Sequence, residues 1–194
     1  MFTNLRIVDY VCGFTGSAHD ATVFEHSCVA KYPDWFFDGN RDEFMWGDSA
    51  YAVSPRVIPI HKKPASLRAD VAAFDTAVSH IRIRSEHCMG ALKGRFQSLR
   101  GLRVHINRKR DHVYACNWIR MCIILHNLII DNEGEEWAQW YIEQIPRDER
   151  VGGDTGSGDL YEQNVGRREM GERRRAQLVA DYNAVRNARH DMFN

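Results

Sequence analysis

Between Asp111 and Ile130 the apolar residues keep helical time. Tyr114, Trp118, Met121, Leu125 and Leu128 recur at spacings of four, three, four and three residues, which is one face of an α-helix. Ala115, Ile119, Cys122 and Ile129 make the neighbouring face apolar too. So broad a stripe predicts a helix, capped by Asp111, that is buried against a sheet or between layers. A run this apolar also raises the question of a membrane span. Val113–Ile130 contains Asn117, Arg120, His126 and Asn127, and four such polar residues argue against a span, so no membrane partner is expected. His126 and Asn127 are expected to be core residues hydrogen-bonded to a neighbouring loop, because buried polar groups need partners.

A helix of that kind needs layers to pack on, and the rest of the chain offers them. With 194 residues, 44% hydrophobic and 27% charged, the chain is long and apolar enough for one domain with an appendage. Leu5–Phe14 is rich in β-branched and aromatic residues and reads as a strand. The turn GFTGSAHD leads into a segment that His19-Asp20 can cap as a helix, with Val23, Phe24 and Cys28 on its apolar side. Phe44–Trp46 reads as a short strand ended by Gly47-Asp48-Ser49, and Arg56–Ile60 as another. Leu67–Leu99 is helical in character, with a break expected near Ser79. Val104–Ile106 is a short extended piece. The domain boundary is expected at 132. Residues 133–194 then form an acidic helix with Trp137, Trp140 and Tyr141, a Gly-rich linker (VGGDTGSGD) and a basic, Arg-rich helix over Gly166–Arg189. The five cysteines include no CxxC pair, which favours free thiols in a reducing intracellular compartment. The opening residues MFTNLRIVDY lack the long apolar run of a secretory signal, so the chain is expected to start inside structure.

Twenty-six bases balance twenty-six acids, but the balance is a cancellation of blocks. Met1–Ala50 carries a net −5, Arg82–Arg110 a net +8, Asp131–Glu162 a net −8 and Gly166–Arg189 a net +4. A globally basic nucleic-acid binder is excluded. A local +8 suffices to hold a polyanion, because affinity for a phosphate backbone follows the charges that face it. A solvated helix face balanced by the acidic stretch is the other reading. The same two readings apply to Arg173-Arg174-Arg175, with nuclear import as a third.

Two acids stand where chemistry is possible. Asp48 follows an apolar strand directly after Trp46-Gly47. A carboxylate at a strand's carboxyl end, beside a glycine that admits another group, is placed for metal ligation or catalysis; the plainer role is a turn Asp capping Ser49-Ala50. Glu86 is the only acid among the nine bases of Arg82–Arg110. It falls at the edge of a stripe formed by Met89, Leu92, Phe96 and Leu99, with Gly90 one turn on. An ion pair with Arg82 is its plainer role. Brought together, the two carboxylates would offer hard oxygen ligands to a divalent metal, and a two-metal site of that kind activates water for phosphodiester cleavage. No histidine pattern suits zinc, and VGGDTGSGD lacks the ending of a phosphate loop.

Five motifs occur in one order along the chain: Gly16-Ser17-x-x-Asp20, Gly47-Asp48-Ser49-x-Tyr51, Arg82-Ile83-x-x-Glu86, Gly90-x-Leu92-Lys93-x-Arg95-Phe96 and Leu125-His126-Asn127. Together they resemble the catalytic domain of PIF/Harbinger-type DDE transposases. The resemblance covers about residues 13–127. It implies an RNase H-like α/β fold, a mixed sheet flanked by helices, and Mg²⁺- or Mn²⁺-dependent cleavage and joining of DNA in the nucleus. It assigns Asp48 as the second acid of the triad and Glu86 as the third, both as catalytic metal ligands. Asp20 would be an accessory ligand or a loop cap. The first acid is implied on a strand upstream of Met1-Phe2-Thr3; Asp9 lies mid-strand, out of place relative to GFTGSAHD. On this reading the chain is an N-terminally truncated DDE nuclease domain whose activity is impaired. Lys93, Arg95 and Arg100 would touch the DNA backbone, unless Arg95 pairs with acids at the core edge, and a separate DNA-binding protein is a possible partner. The alternative is a non-catalytic DNA- or protein-binding remnant of a domesticated transposase.

Overall fold

The backbone carbonyl of Leu5 accepts two hydrogen bonds from side chains far along the sequence. His126 donates through Nε2 at 2.9 Å, and the Cys88 thiol donates at 3.1 Å. Two residues on, Asn127 brackets Ile7: its Oδ1 accepts from the Ile7 N–H at 3.0 Å and its Nδ2 donates to the Ile7 carbonyl at 2.8 Å. These bonds hold the N-terminal segment against a long helix. They belong to a computed structural model that describes residues 4–134 and 165–192. The expected acidic helix with Trp137, Trp140 and Tyr141 and the Gly-rich linker fall outside those residues.

The described elements in chain order are α1 (Asp20–Phe24), α2 (Cys28–Lys31), β1 (Met45–Gly47), β2 (Val57–Pro59), α3 (Ala69–Arg95), α4 (Lys109–Glu133) and α5 (Val165–Met192), with single 3₁₀ turns at Pro33–Trp35, Ala65–Leu67 and Gln97–Arg100. The architecture is mixed α/β, mostly helical, with a two-stranded parallel sheet among the described residues. The chain divides into two compact units. One comprises described residues 4–16 and 82–134, and the other 17–81 and 165–192.

In the first unit Leu5, Cys88, Ala91 and Ile130 form one buried cluster, and Leu92, Cys122 and Ile123 form another, flanked by Ile7, Phe96, Leu99 and Ile119. Leu5 has φ +54°, a left-handed conformation that costs a non-glycine residue about 1–2 kcal/mol. Its buried side chain and doubly bonded carbonyl hold it there. Asp111 caps α4 from the helix's third position, its Oδ2 accepting from the Arg108 N–H at 2.9 Å.

Four expectations are corrected here. Leu5–Phe14 is no strand: its polar backbone is met by the side chains of His126 and Asn127 in place of a sheet neighbour. The buried face of α4 is Ala115, Cys122, Ile123, His126 and Ile130, whereas Tyr114, Trp118, Met121, Leu125 and Leu128 stand exposed. The covered face is the one that carries His126, whose ring meets the Leu5 carbonyl, with Cys122, Ile123 and Ile130 in the two clusters around it. On α3 the stripe is Cys88, Ala91 and Leu92, and Met89 is exposed. α3 itself runs through Ser79 unbroken, since no Pro or Gly interrupts it between Ala69 and Met89.

In the second unit β1 and β2 pair in parallel with Met45 opposite Val57, Trp46 opposite Ile58 and Gly47 opposite Pro59. Val71, Phe74 and Val78 of α3 pack with Val179 of α5, alongside Trp46, Ile60, Leu178 and Tyr182. Phe74 meets Trp46 and Tyr182 edge-on, ring centroids 5.8 and 5.9 Å apart. The segment expected as one helix after His19 is two short ones. Ser27 caps the second, accepting from the Ala30 N–H at 3.1 Å, and Val29 is buried while Cys28 is exposed. All five cysteines carry free thiols.

α5 is an integral part of this unit. A Cβ on Gly171 would lie 2.6 Å from the Ser54 backbone, closer than a side chain can approach. Arg174 donates to the Pro55 and Asp42 carbonyls, pairs with the Asp42 carboxylate at 2.7 Å and lies over the Phe44 ring at 4.5 Å. Arg175 donates to the Pro59 carbonyl at 3.3 Å. Gly171→Val should therefore lever α5 off the sheet and expose it to limited proteolysis, whereas Gly166→Val, where a Cβ meets nothing, should leave the digestion pattern unchanged.

A second prediction concerns pH. Burial pushes the His126 pKa below its ordinary value; the Leu5 carbonyl opposes this and Arg95 adds to it. The unfolded imidazole takes up a proton near pH 6.5 that the folded one resists. His126 thus contributes stability that is present above that pH and lost progressively as the pH falls below it toward the lower pKa of the folded state. Urea denaturation should show lower stability at pH 5 than at pH 7.5, and His126→Gln should flatten that difference.

Candidate active site

Asp48 is set by a strand end and a tight turn. It follows β1 directly and is half-buried. Its Oδ1 accepts from the Ala50 N–H at 3.1 Å and from the Ser49 hydroxyl at 3.2 Å, while the Tyr51 N–H donates to its carbonyl at 3.1 Å. This is the turn-capping geometry of an Asx turn. Gly47 makes it possible. A Cβ there would sit 3.2 Å from Val57 Cγ1 and 3.5 Å from Tyr51 Cβ, so the glycine admits the protein's own β2 and turn. The connection Asp48–Arg56 is short for a parallel pair. Its far end is closed by the Ser54 N–H bonding the Val57 carbonyl at 2.9 Å, and by Arg174 on the Pro55 carbonyl.

Glu86 lies in the middle of α3, in the first unit, and is exposed. Asp48 and Asp20 belong to the second unit. Asp20 is exposed in the first turn of α1, where an acid favours the helix dipole. Of the expected DNA contacts, Lys93 is exposed at the end of α3 and Arg100 is exposed on the 3₁₀ turn that follows. Arg95 is one-quarter exposed and pairs with Glu133 at 3.0 Å, as its core-edge reading expects. Within the Arg173–Arg175 triplet only Arg173 is exposed; Arg174 donates to the Pro55 and Asp42 carbonyls and Arg175 to that of Pro59 at the end of β2.

Asp48 and Glu86 suit a hard divalent cation in donor chemistry. They fall short in number: among the described residues no three of His, Cys, Asp and Glu form a metal-holding group.

One polar cluster escaped the sequence reading. His61 Nδ1 lies 2.9 Å from Asp75 Oδ1, with the two side chains 11% and 12% exposed, and the His61 N–H also donates to that carboxylate. Asp75 attracts Arg175, whose pKa burial pulls below its ordinary value while Glu172 and Asp75 oppose the shift. The signal lay in the helix pattern: Asp75 falls between Phe74 and Val78 on a buried stripe, where a carboxylate requires partners.

The sequence profile of the DDE superfamily endonucleases matches residues 2–127, about two thirds of the chain and the whole of the motif series. The chain belongs to that family. Comparison with the curated proteins and with the solved structures returns no match. In this endonuclease chain the matched residues end at Asn127, so α5, which closes the sheet carrying Asp48, lies outside the shared part.

The turn role of Asp48 is separable from its charge. Asp48→Ala should lose about 0.5–1.5 kcal/mol of stability with the bonds to Ala50 and Ser49. Asp48→Asn keeps an oxygen for the Ala50 N–H and should lose little. Equal losses on denaturation would show that the charge, and not the turn, is what stabilises this site.

Proposed function

We propose that this DDE endonuclease chain derives from a PIF/Harbinger-type transposase with an RNase H-like core and acts on DNA phosphodiesters in the nucleus. The carrying observation is the family match spanning all five motifs, with Asp48 at the carboxyl end of β1. In this reading Asp48 and Glu86 hold a divalent metal, Mg²⁺ or Mn²⁺, with Asp20 as an accessory oxygen. A first acid from a preceding strand completes the set. When bound, such a metal lowers the pKa of water and stabilises a leaving oxygen. The chain's own part is to hold the carboxylates: the Asx turn orients Asp48, and α3 presents Glu86 beside basic residues. Lys93 and Arg100, and Arg95 when released from Glu133, would neutralise DNA phosphates. A separate DNA-binding protein would supply target choice.

A second reading has its own support. The Asp48 Oδ1 is already engaged by Ser49 and Ala50, which suits a retained fold that binds DNA or protein without cleaving.

Plasmid nicking separates the two. The first reading expects weak nicking with Mg²⁺ or Mn²⁺ that Asp48→Asn and Glu86→Gln each abolish, and strong nicking once the chain is extended with a preceding acid-bearing strand. Nicking indifferent to both substitutions would overturn the assignment. The second reading expects DNA retention with no metal-dependent cut in either chain. Under both, duplex affinity should fall steeply with salt, and Lys93→Glu with Arg100→Glu should lower it by roughly an order of magnitude.

A further inference from the structure

The N-terminal segment lies along α4 as a strap. Beyond the bonds of His126 to Leu5 and of Asn127 to Ile7, Arg120 Nε donates to the Tyr10 hydroxyl at 2.9 Å. Further along, the Cys12 thiol donates a hydrogen bond to the Cys116 sulfur. Beside it Gly13, at φ +101°, sits where an added Cβ would lie 3.2 Å from His112 Cε1 and 3.9 Å from Cys116 Sγ. The partners of the strap thus step back along α4 from Asn127 to Arg120, Cys116 and His112, the last two steps being one helical turn each. Gly13 lets this end of the strap come so close, because a side chain there would be strained in its backbone and crowded by His112.

Cys12 and Cys116 differ from the other three cysteines. Both are half-buried, within reach of a small oxidant, and their sulfurs touch. Cys88 is buried with its proton on the Leu5 carbonyl, Cys122 is buried beside Leu92 and Ile123, and Cys28 stands exposed in the other unit. Burial pushes the Cys12 pKa up, the hydrogen bond to Cys116 and the charge of a Cys116 thiolate push it further, and Arg120 opposes them. Cys12 thus keeps its proton and points it at Cys116. His112 Nε2 stands 4.0 Å from the Cys116 sulfur, as an acceptor for the proton of that thiol. The two roles are those of an attacking thiolate, Cys116, and a resolving thiol, Cys12.

We propose that Cys12 and Cys116 form a reversible redox site, at which hydrogen peroxide joins the strap to α4 through an intramolecular disulfide. The Cys116 thiolate attacks one peroxide oxygen and breaks the O–O bond. It becomes a sulfenic acid, and the hydroxide released takes up the proton that Cys116 gave away. The Cys12 sulfur then attacks the Cys116 sulfur, and its proton leaves with the displaced hydroxyl as water. Two thiols and one peroxide become one disulfide and two waters, and a thiol reductant reverses the change. Cys12 is carried on non-helical chain next to Gly13, so it can close from hydrogen-bond contact to the roughly 2.05 Å of an S–S bond while Cys116 stays on its helix. The loop so closed contains Asp20, Asp48 and Glu86, and closing a loop that long restricts the unfolded chain strongly. The redox site is independent of the endonuclease reading and uses none of the residues assigned to the DNA chemistry.

The test treats the full 194-residue chain, dilute and without DNA, with a small excess of hydrogen peroxide. The free thiols titrated in denaturant should fall by two from the five of the reduced chain. Peptide mapping without reductant should find the peptides of Cys12 and Cys116 linked, and dithiothreitol should part them. The Tm should rise by about 5 °C or more on oxidation, because a loop of about a hundred residues is closed, and return on reduction. Cys28→Ser should leave the linked peptides and the rise in Tm in place. Dimedone, which traps a sulfenic acid, should label Cys116 in Cys12→Ser and leave Cys12 unlabelled in Cys116→Ser, each with unchanged circular dichroism. Five thiols surviving peroxide, or a linkage between any other two cysteines, would overturn the site; both readings come from the unsubstituted chain and stand even where a serine variant misfolds. A linked chain whose Tm is unchanged or lowered would overturn the bond as part of the native fold. Label on Cys12 in place of Cys116 would overturn the assignment of attacking and resolving thiol.

Discussion

Two adjacent side chains of α4 do for the N-terminal segment what a neighbouring strand does elsewhere. His126 and Asn127 reach the polar backbone of Leu5 and Ile7 with one donor to the first and a donor–acceptor pair to the second. A buried backbone must find such partners. Once they are found, the Leu5 side chain is fixed among Cys88, Ala91 and Ile130. That in turn seats the second half of α3 on α4. The Cys88 thiol, pushed up to about 11 by burial, stays protonated and so keeps its own donation to the Leu5 carbonyl. The first unit is thus organised around one carbonyl oxygen and the amide side chain beside it.

The same economy of parts shapes the second unit, with arginine in place of histidine. β1 and β2 are three residues each and make too small a sheet to stand alone. Guanidinium groups from α5 bond one carbonyl before β2, one at its last residue and one ahead of β1, and Gly171 lets the helix come close enough for them to reach. Asp48 is therefore positioned twice over, by its own turn and by the helix that closes the far end of that turn.

Much of this was legible from residues alone. The strand–turn pair at Phe44–Trp46 and Arg56–Ile60, the long helices and the partnered His126-Asn127 follow from pattern and from the need of buried polar groups for partners, while the Arg95 ion pair was one of two readings left open. What misled was local similarity between different outcomes. A β-branched run such as LRIVDYV looks the same whether a strand or a pair of side chains meets its backbone. In α4 both faces are apolar, and periodicity reports that a face is apolar without telling which one is covered. The larger residues suggested the core, whereas the covered face is that of Ala115, Cys122, Ile123, His126 and Ile130. Arg174 and Arg175 read as solvated charge because nothing in a run of arginines reveals three carbonyls awaiting donors. The acids themselves were identified by motif. Their geometry adds that Asp48 caps Ser49 and Ala50, the plainer of the two roles its place after Gly47 allowed.

Each unit is assembled from two separated stretches of chain, and for the second unit the later stretch is α5. Synthesis is vectorial, and domains close as their parts emerge. Trp46, Phe74 and the carbonyls of β2 therefore remain uncovered while more than eighty residues are still being added after Ile81. The first unit, by contrast, has every described part once α4 is complete. The order of elements along the chain makes the sheet that carries Asp48 the last piece to mature. A nascent chain that stops short of α5 would carry all five family motifs and still leave the turn of Asp48 without the helix that closes it.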